Sequence, residues 1–144
     1  WRYLTARILG LVLLVACASL TVYSLLSHEP SELTWREDHE AAIQEARDAG
    51  QPYVLDFTAE WCAACKELEK VTFTDRKVSA RMQEMMLVKM DMTENSEEDE
   101  ALMQEYEVPG LPAVIVFDGS GREVGRVSKF VKPAKFLKVL DKVK

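Results

Sequence analysis

The sequence predicts an α/β domain, a mixed sheet flanked by helices, preceded by one N-terminal transmembrane helix. Three observations carry this. Apolar β-type runs at 53–58, 87–92 and 113–117 are separated by stretches of helical spacing, and strands that alternate with helices pair in parallel. Asp118-Gly119-Ser120-Gly121 is a tight turn that sends the chain back as an antiparallel edge strand. Ile8 to Leu26 is a run of 19 residues without a charge, about the length at which a helix crosses the hydrocarbon core.

The N-terminal run comes first. Arg2 and Arg7 precede it; His28, Glu29 and Glu32 follow it. The excess of positive charge before the run places residue 1 in the cytoplasm and residues 28–144 outside. Two rival readings exist. One is a buried core helix, against which the length and uniform apolarity of the run count. The other is a cleaved lipoprotein-type signal, in which Cys17 of Leu14-Val15-Ala16-Cys17 becomes the lipidated first residue. Against it, the apolar stretch continues past Cys17 where a signal turns polar. Residues 1–27 are thus expected to be a membrane anchor, 28–35 a polar linker with Pro30, and 36–144 the folded domain.

Within the domain, Arg36–Ala49 has Ala41, Ala42, Ile43 and Ala46 at helical spacing and stops at Gly50, a C-terminal cap. Pro52 opens the strand Tyr53–Thr58. Cys62 to about Thr72 is expected as a helix, and Val78–Met86 as another, with Met82, Met85 and Met86 on one side. Leu87–Met92 reads as a strand. Ser96 opens a helix whose first turn is Glu97, Glu98, Asp99 and Glu100; acids there complement the positive helix end, and a cation site is the rival reading. The methionines fit core packing better than copper binding. Ala113–Phe117 is a buried strand, Arg122–Val127 its hairpin partner, and Pro133 starts a last amphipathic helix to Val143.

Charge narrows the partners. With Arg2 and Arg7 set apart, 16 of the 18 Lys and Arg accompany all 24 acids in residues 28–144, a net of −8. A domain so acidic repels a phosphate backbone, so no nucleic-acid partner is expected.

Chemistry concentrates at Asp56-Phe57-Thr58-Ala59-Glu60-Trp61-Cys62-Ala63-Ala64-Cys65. Three readings of the cysteine pair stand. A zinc site needs four ligands, and only His28, His39 and Cys17 remain to supply them. A structural disulfide closes a loop too short to remove much chain entropy. A redox pair fits the local physics. Cys62 at a helix start faces unpaired N–H groups and the positive end of the dipole, which favour its thiolate. Cys65, one turn deeper, is placed to resolve the mixed disulfide. Cys62 is therefore expected as the exposed nucleophile and Cys65 as the resolving thiol, with no cofactor beyond the redox-active pair and no metal.

Asp56 ends an apolar strand, where a carboxylate is costly to bury. It is expected to have a raised pKa and to exchange the proton of Cys65; an exposed strand-end acid is the rival reading. Glu69, four residues after Cys65, lies on the same helical face and is expected to share that role, against a solvated helix acid. Glu60, Asp56, Glu67 and Glu69 surround the pair with negative charge offset locally only by Lys66. The thiolate is then only mildly favoured, which points to a reductant or electron relay rather than a strong oxidant. Gly110-Leu111-Pro112 precedes the buried strand at 113. Pro112 is expected after a cis peptide, with Leu111 offering its backbone to an extended substrate strand.

Trp61-Cys62-Ala63-Ala64-Cys65-Lys66, with Asp56 before it and Leu111-Pro112 downstream, resembles the thioredoxin superfamily over roughly residues 33–143. Leu55-Asp56-Phe57, Cys65-Lys66-Glu67-Leu68-Glu69, Val71-Thr72-Phe73-Thr74-Asp75 and Gly110-Leu111-Pro112 are more closely similar to the C-terminal periplasmic domains of the DsbD family of thiol:disulfide interchange proteins. The resemblance implies a thioredoxin-like fold and a bacterial inner-membrane protein with its catalytic domain on the periplasmic side. It implies electrons taken from a membrane-embedded dithiol and passed to periplasmic protein disulfides, including those of disulfide isomerases and cytochrome c maturation. The apolar N-terminal segment then resembles the last transmembrane helix of a longer chain. Asp56 and Glu69 match acids that modulate the family's thiols, and Trp61, Leu111 and Pro112 its substrate-binding positions. Two departures stand out: Ala63-Ala64 replaces the Gly-Pro spacer of thioredoxin itself, and Ala113 stands where the family usually has threonine. The alternatives are a reductase dedicated to cytochrome c maturation and a thioredoxin-fold metal-delivery module; no histidine follows His39, which counts against the latter.

Overall fold

The computed structural model describes residues 32–143, together with residues 14, 17–19 and 21. Residues 1–31 form one compact unit and residues 32–144 another. The spanning helix expected at 8–26 lies largely outside the described residues. Those of it that are described are helical, and the Thr21 hydroxyl donates to the Cys17 and Ala18 carbonyls. Among the described residues no helix is long and apolar enough to cross a membrane.

The elements of the larger unit are α1 (His39–Ala49), β1 (Tyr53–Thr58), α2 (Ala63–Glu67) continued by a π-helical turn (Leu68–Thr72), α3 (Arg76–Met82), β2 (Met86–Asp91), α4 (Glu97–Glu105), β3 (Ala113–Phe117), β4 (Glu123–Val127) and α5 (Pro133–Leu140). The four strands lie in the order β2-β1-β3-β4. One face carries α1 and α4 over Leu55, Phe57, Val88, Met90 and Ile115. The other carries the π turn, α3 and α5 over Val54, Leu87, Val114 and Val116. Alternation along each strand supplies both faces with apolar side chains, as a sheet covered on both sides requires.

The expected parallel pairing holds for β1 and β2 but not for β3, which runs antiparallel to β1. The register gives the reason. Thr58 pairs with Asp91 and Phe57 with Ala113, so β2 leaves and β3 enters at the same end of β1. Because β1 lies between β2 and β3, the connection through α4 passes over β1 before the chain re-enters the sheet. Antiparallel β4 follows β3 as expected, its turn fixed by Asp118 Oδ1, which accepts the Ser120 and Arg122 N–H groups.

Several helix bounds differ from expectation. Helix α1 begins at His39, not Arg36. The Arg36 backbone is spent on the edge of β2: its N–H donates to Leu87 O at 2.8 Å and its C=O accepts from Lys89 N–H at 2.8 Å. Its guanidinium takes the Asp38 carboxylate, leaving that N-cap residue without a side-chain cap. Gly50 closes α1 with a left-handed φ of 61°, as glycine allows without a Cβ clash. Helix α3 runs Arg76–Met82 because Asp75 caps the Lys77 and Val78 N–H groups, and it stops before Met86, whose N–H donates to Pro52 O. Met85 and Met86 thus lie outside the helix. Met82, Met85, Met90 and Met92 are buried. Ser96 and Asp99 cap α4 reciprocally, each accepting the other's backbone N–H.

Candidate active site

Strand β1 delivers the chain to the site. After Thr58 a turn closes with Cys62 N–H on Ala59 O at 3.0 Å, and Cys62 becomes the N-cap of α2. Its Sγ accepts the Cys65 N–H at 3.2 Å, so one of the unpaired donors at the helix start is aimed at the first sulfur. Cys62 and Cys65 are joined as a disulfide with Cα atoms 5.3 Å apart. Cys62 was expected to be exposed. In the disulfide it is 7% accessible against 2% for Cys65, because Ala59, Ala64 and Leu111 pack around the pair. It is the more accessible residue of the two, but only slightly. Cys17 is a free, exposed cysteine.

The helix is not regular. Phe73 N–H donates to Leu68 O at 2.9 Å, a bond five residues back, so Leu68–Thr72 forms a wide turn. Such turns recur at functional sites. This one carries Glu69, and its last residue, Thr72, is buried and donates from Oγ1 to Val131 O at 2.6 Å.

Asp56 is 2% accessible in the middle of the sheet. Burial pushes its carboxyl up to about 7; the negative charge of Glu69 adds to the rise and the Lys89 ammonium opposes it. Lys89 stands directly opposite Asp56 across the β1–β2 pair, and its Nζ donates to Glu69 Oε1 at 3.0 Å. Asp56, Glu69 and Lys89 therefore form one electrostatic group, two acids to one cation. Glu69 is half-buried and ion-paired. Lys89 was overlooked in the sequence, although its signal is similar to that of Asp56: a charge flanked by apolar residues inside a strand. What the sequence does not give is the register that faces one to the other across 33 positions.

Trp61 stands 62% exposed beside the cysteines. Its Nε1 donates to Thr93 O at 3.2 Å, and Glu60 N–H donates to Thr93 Oγ1 at 2.9 Å. Thr93 is held in turn by Asp91, whose Oδ1 accepts from its N–H and its hydroxyl. This bracket at the end of β2 was also missed. It joins residues that β1–β2 pairing alone brings close. Leu111 packs on the cysteine cluster, Pro112 is buried, and the peptide between them is cis, as expected. Arg126 of β4 fastens the approach to this loop by donating to the Tyr106 and Glu107 carbonyls at 3.1 Å each. Among the described residues no group of three His, Cys, Asp or Glu is gathered as a metal site.

Comparison with known proteins agrees with this geometry. The thioredoxin-like domain family matches residues 39–144. The chain is 42% identical over 107 residues to the thiol:disulfide interchange protein DsbD of Actinobacillus pleuropneumoniae, covering 72% of this chain and 18% of that protein. It is 41% identical over 104 residues to DsbD of Yersinia enterocolitica, covering 71% of this chain and 18% of that one. The chain thus spans less than a fifth of the length of these relatives. Among solved structures, the DsbD C-terminal domain of Neisseria meningitidis in its oxidised form superposes with a TM-score of 0.65 at 29% identity, over 77% of this chain and all of that one. Its reduced form gives a TM-score of 0.63 at 30% identity, over 77% of this chain and 100% of that one. With a cysteine pair at a helix start, a buried acid behind it and a Leu-Pro loop beside it, the chain belongs to the thioredoxin-like family and has DsbD thiol:disulfide interchange proteins among its relatives.

Proposed function

We propose that the chain is a membrane-tethered protein-disulfide reductase, an electron relay on the periplasmic side of a bacterial inner membrane. The observation that carries this reading is the Cys62–Cys65 disulfide at the start of α2. In the reduced protein, the Cys62 thiolate attacks a partner disulfide; a mixed disulfide forms and one partner sulfur leaves as thiolate. Asp56, ionised, takes the Cys65 proton. The Cys65 thiolate then attacks Cys62 Sγ, closing the Cys62–Cys65 disulfide and releasing the second partner sulfur. Two electrons pass to the partner, which is reduced as the chain is oxidised. A membrane-embedded dithiol returns the chain to its reduced form by the same exchange in reverse.

The supporting residues take roles by position. Asp56, with its pKa of about 7, is poised to gain or lose a proton near neutral pH, and Glu69 modulates it. Trp61 supplies an exposed apolar face, and Leu111, packed on the cysteine cluster, offers its backbone to an extended partner segment. Residues 1–27 form the membrane anchor, residues 28–35 the linker and residues 36–144 the redox domain.

The test is a trap. Cys65→Ser, expressed in its membrane, leaves a mixed disulfide on Cys62 unresolved. Capture of a membrane dithiol protein together with a periplasmic disulfide protein is the expected result. Capture of apocytochrome c alone would move the reading to a dedicated maturation reductase. No mixed disulfide, with Cys62 alkylated readily by a small reagent, would sink the relay.

A further inference from the structure

The segment that enters the domain, residues 32–36, is docked. Arg36 bridges to Val88 on the outer edge of β2, flanked by its two 2.8 Å backbone bonds to Leu87 and Lys89. Leu33 and Trp35 pack on the core face that carries the π turn. The Trp35 ring lies 5.7 Å from the Phe73 ring, at 41° to it. On the same ring sits Lys89, its Nζ 5.7 Å from the centroid. That ammonium donates to Glu69 at 3.0 Å and belongs to the residue opposite Asp56.

We propose that Trp35 is a positioning residue that holds the Lys89 ammonium against Glu69 and Asp56, so that docking of residues 32–36 on β2 tunes the acid pair behind the cysteines. The groups that face one another are Asp56 from β1, Glu69 from the π turn and Lys89 from β2. Arg36, the cation of the docked segment, gives its guanidinium to Asp38 and Glu45. One ammonium therefore serves two acids. A lysine side chain has four rotatable bonds and a strongly hydrated head, and its default is to reach for water. An aromatic face attracts the ammonium and restricts it. Without the ring Lys89 swings outward, the charge of Glu69 is less compensated, and Asp56 holds its proton to higher pH. A segment that joins the domain to its N-terminal residues thereby acts on the acid at the root of the cysteine loop.

The consequence for thiol chemistry rests on the proton-transfer role proposed above for Asp56; the coupling of Trp35 to Asp56 does not. The experiment separates them. In the reduced full chain in detergent micelles, the Asp56 carboxyl is titrated by carbon-13 NMR, assigned by its loss in Asp56→Asn, and Cys62 alkylation is followed over the same pH range. Trp35→Ala is expected to raise the Asp56 midpoint by roughly half a pH unit, the size such a contact supplies. Trp35→Phe, which keeps a ring, is expected to restore most of the wild-type value, and amide dispersion checks that each variant is folded. In a Lys89→Met background Trp35→Ala is expected to leave the midpoint unmoved. An unchanged midpoint in folded Trp35→Ala, or an equal rise without Lys89, would overturn the inference. A raised midpoint with unaltered Cys62 alkylation would support the Trp35 coupling and show that Asp56 does not act on the Cys62 thiolate.

Discussion

At position 56 an acid occupies a strand that is buried along its whole length, between apolar Leu55 and Phe57. The price of that placement is a pH-dependent loss of stability. The folded-state pKa of about 7 lies above the ordinary 3.8, so between these values the folded chain holds a proton that the unfolded chain has released. Stability therefore falls as pH rises through that window, and the loss is complete above about 7. At about 1.4 kcal/mol per pH unit the loss is of order 4 kcal/mol. Urea unfolding of wild type and Asp56→Asn from pH 3 to 8 should show it: the wild type loses ground relative to the variant between about pH 4 and 7 and runs parallel to it elsewhere. Parallel curves throughout would mean that the carboxyl is not desolvated. Asp56 was legible in the sequence because a charge in an apolar run is conspicuous. Thr93 was not, since nothing marks a threonine in a polar loop. Removing its hydroxyl with Thr93→Ala should cost about 1 kcal/mol and speed hydrogen exchange of the Glu60 amide, while Thr93→Ser keeps both. An unaltered Glu60 exchange rate would show that the bracket does not hold the cysteine turn.

Elements were legible in kind more than in extent. The strand Ala113–Phe117 matches its expected bounds, since a continuous β-branched run between Pro112 and a turn leaves no other reading. Helix starts and ends were moved by bonds to distant backbone. Arg36 was drawn to β2, and Met86 was taken from a helix by Pro52. The cysteine helix was expected to be continuous to Thr72, and periodicity does not reveal that its second half widens by one residue per turn. The buried Thr72 hydroxyl fastens that end to Val131. Thr72→Val keeps the shape and leaves the Val131 carbonyl unpaired, so it should lower stability by about 1–3 kcal/mol, read from the urea midpoint. A loss near zero would mean that water takes over the carbonyl.

For the whole domain, the cysteine pair is a poor staple. A disulfide between residues three apart removes little unfolded-state entropy, less than about 2 kcal/mol. Reduction should therefore lower the unfolding free energy by no more than that and leave the far-ultraviolet circular dichroism unchanged, as a domain that cycles between two redox states needs. A collapse of structure on reduction would make the pair structural. The sequence by itself determined the α/β class, the membrane-length apolar run, the Cys62–Cys65 spacing that favours a redox pair and the suspicion on Asp56. Each is a local property: hydrophobic period, charge in an apolar setting, spacing within one helical turn. Only the tertiary structure decided that β3 lies antiparallel beside β1, that Lys89 faces Asp56, that Thr93 holds the cysteine turn and that Trp35 covers Lys89. Those contacts join positions 32 to 64 residues apart. They follow from strand order and register, which the summed packing of both sheet faces selects and no short stretch encodes.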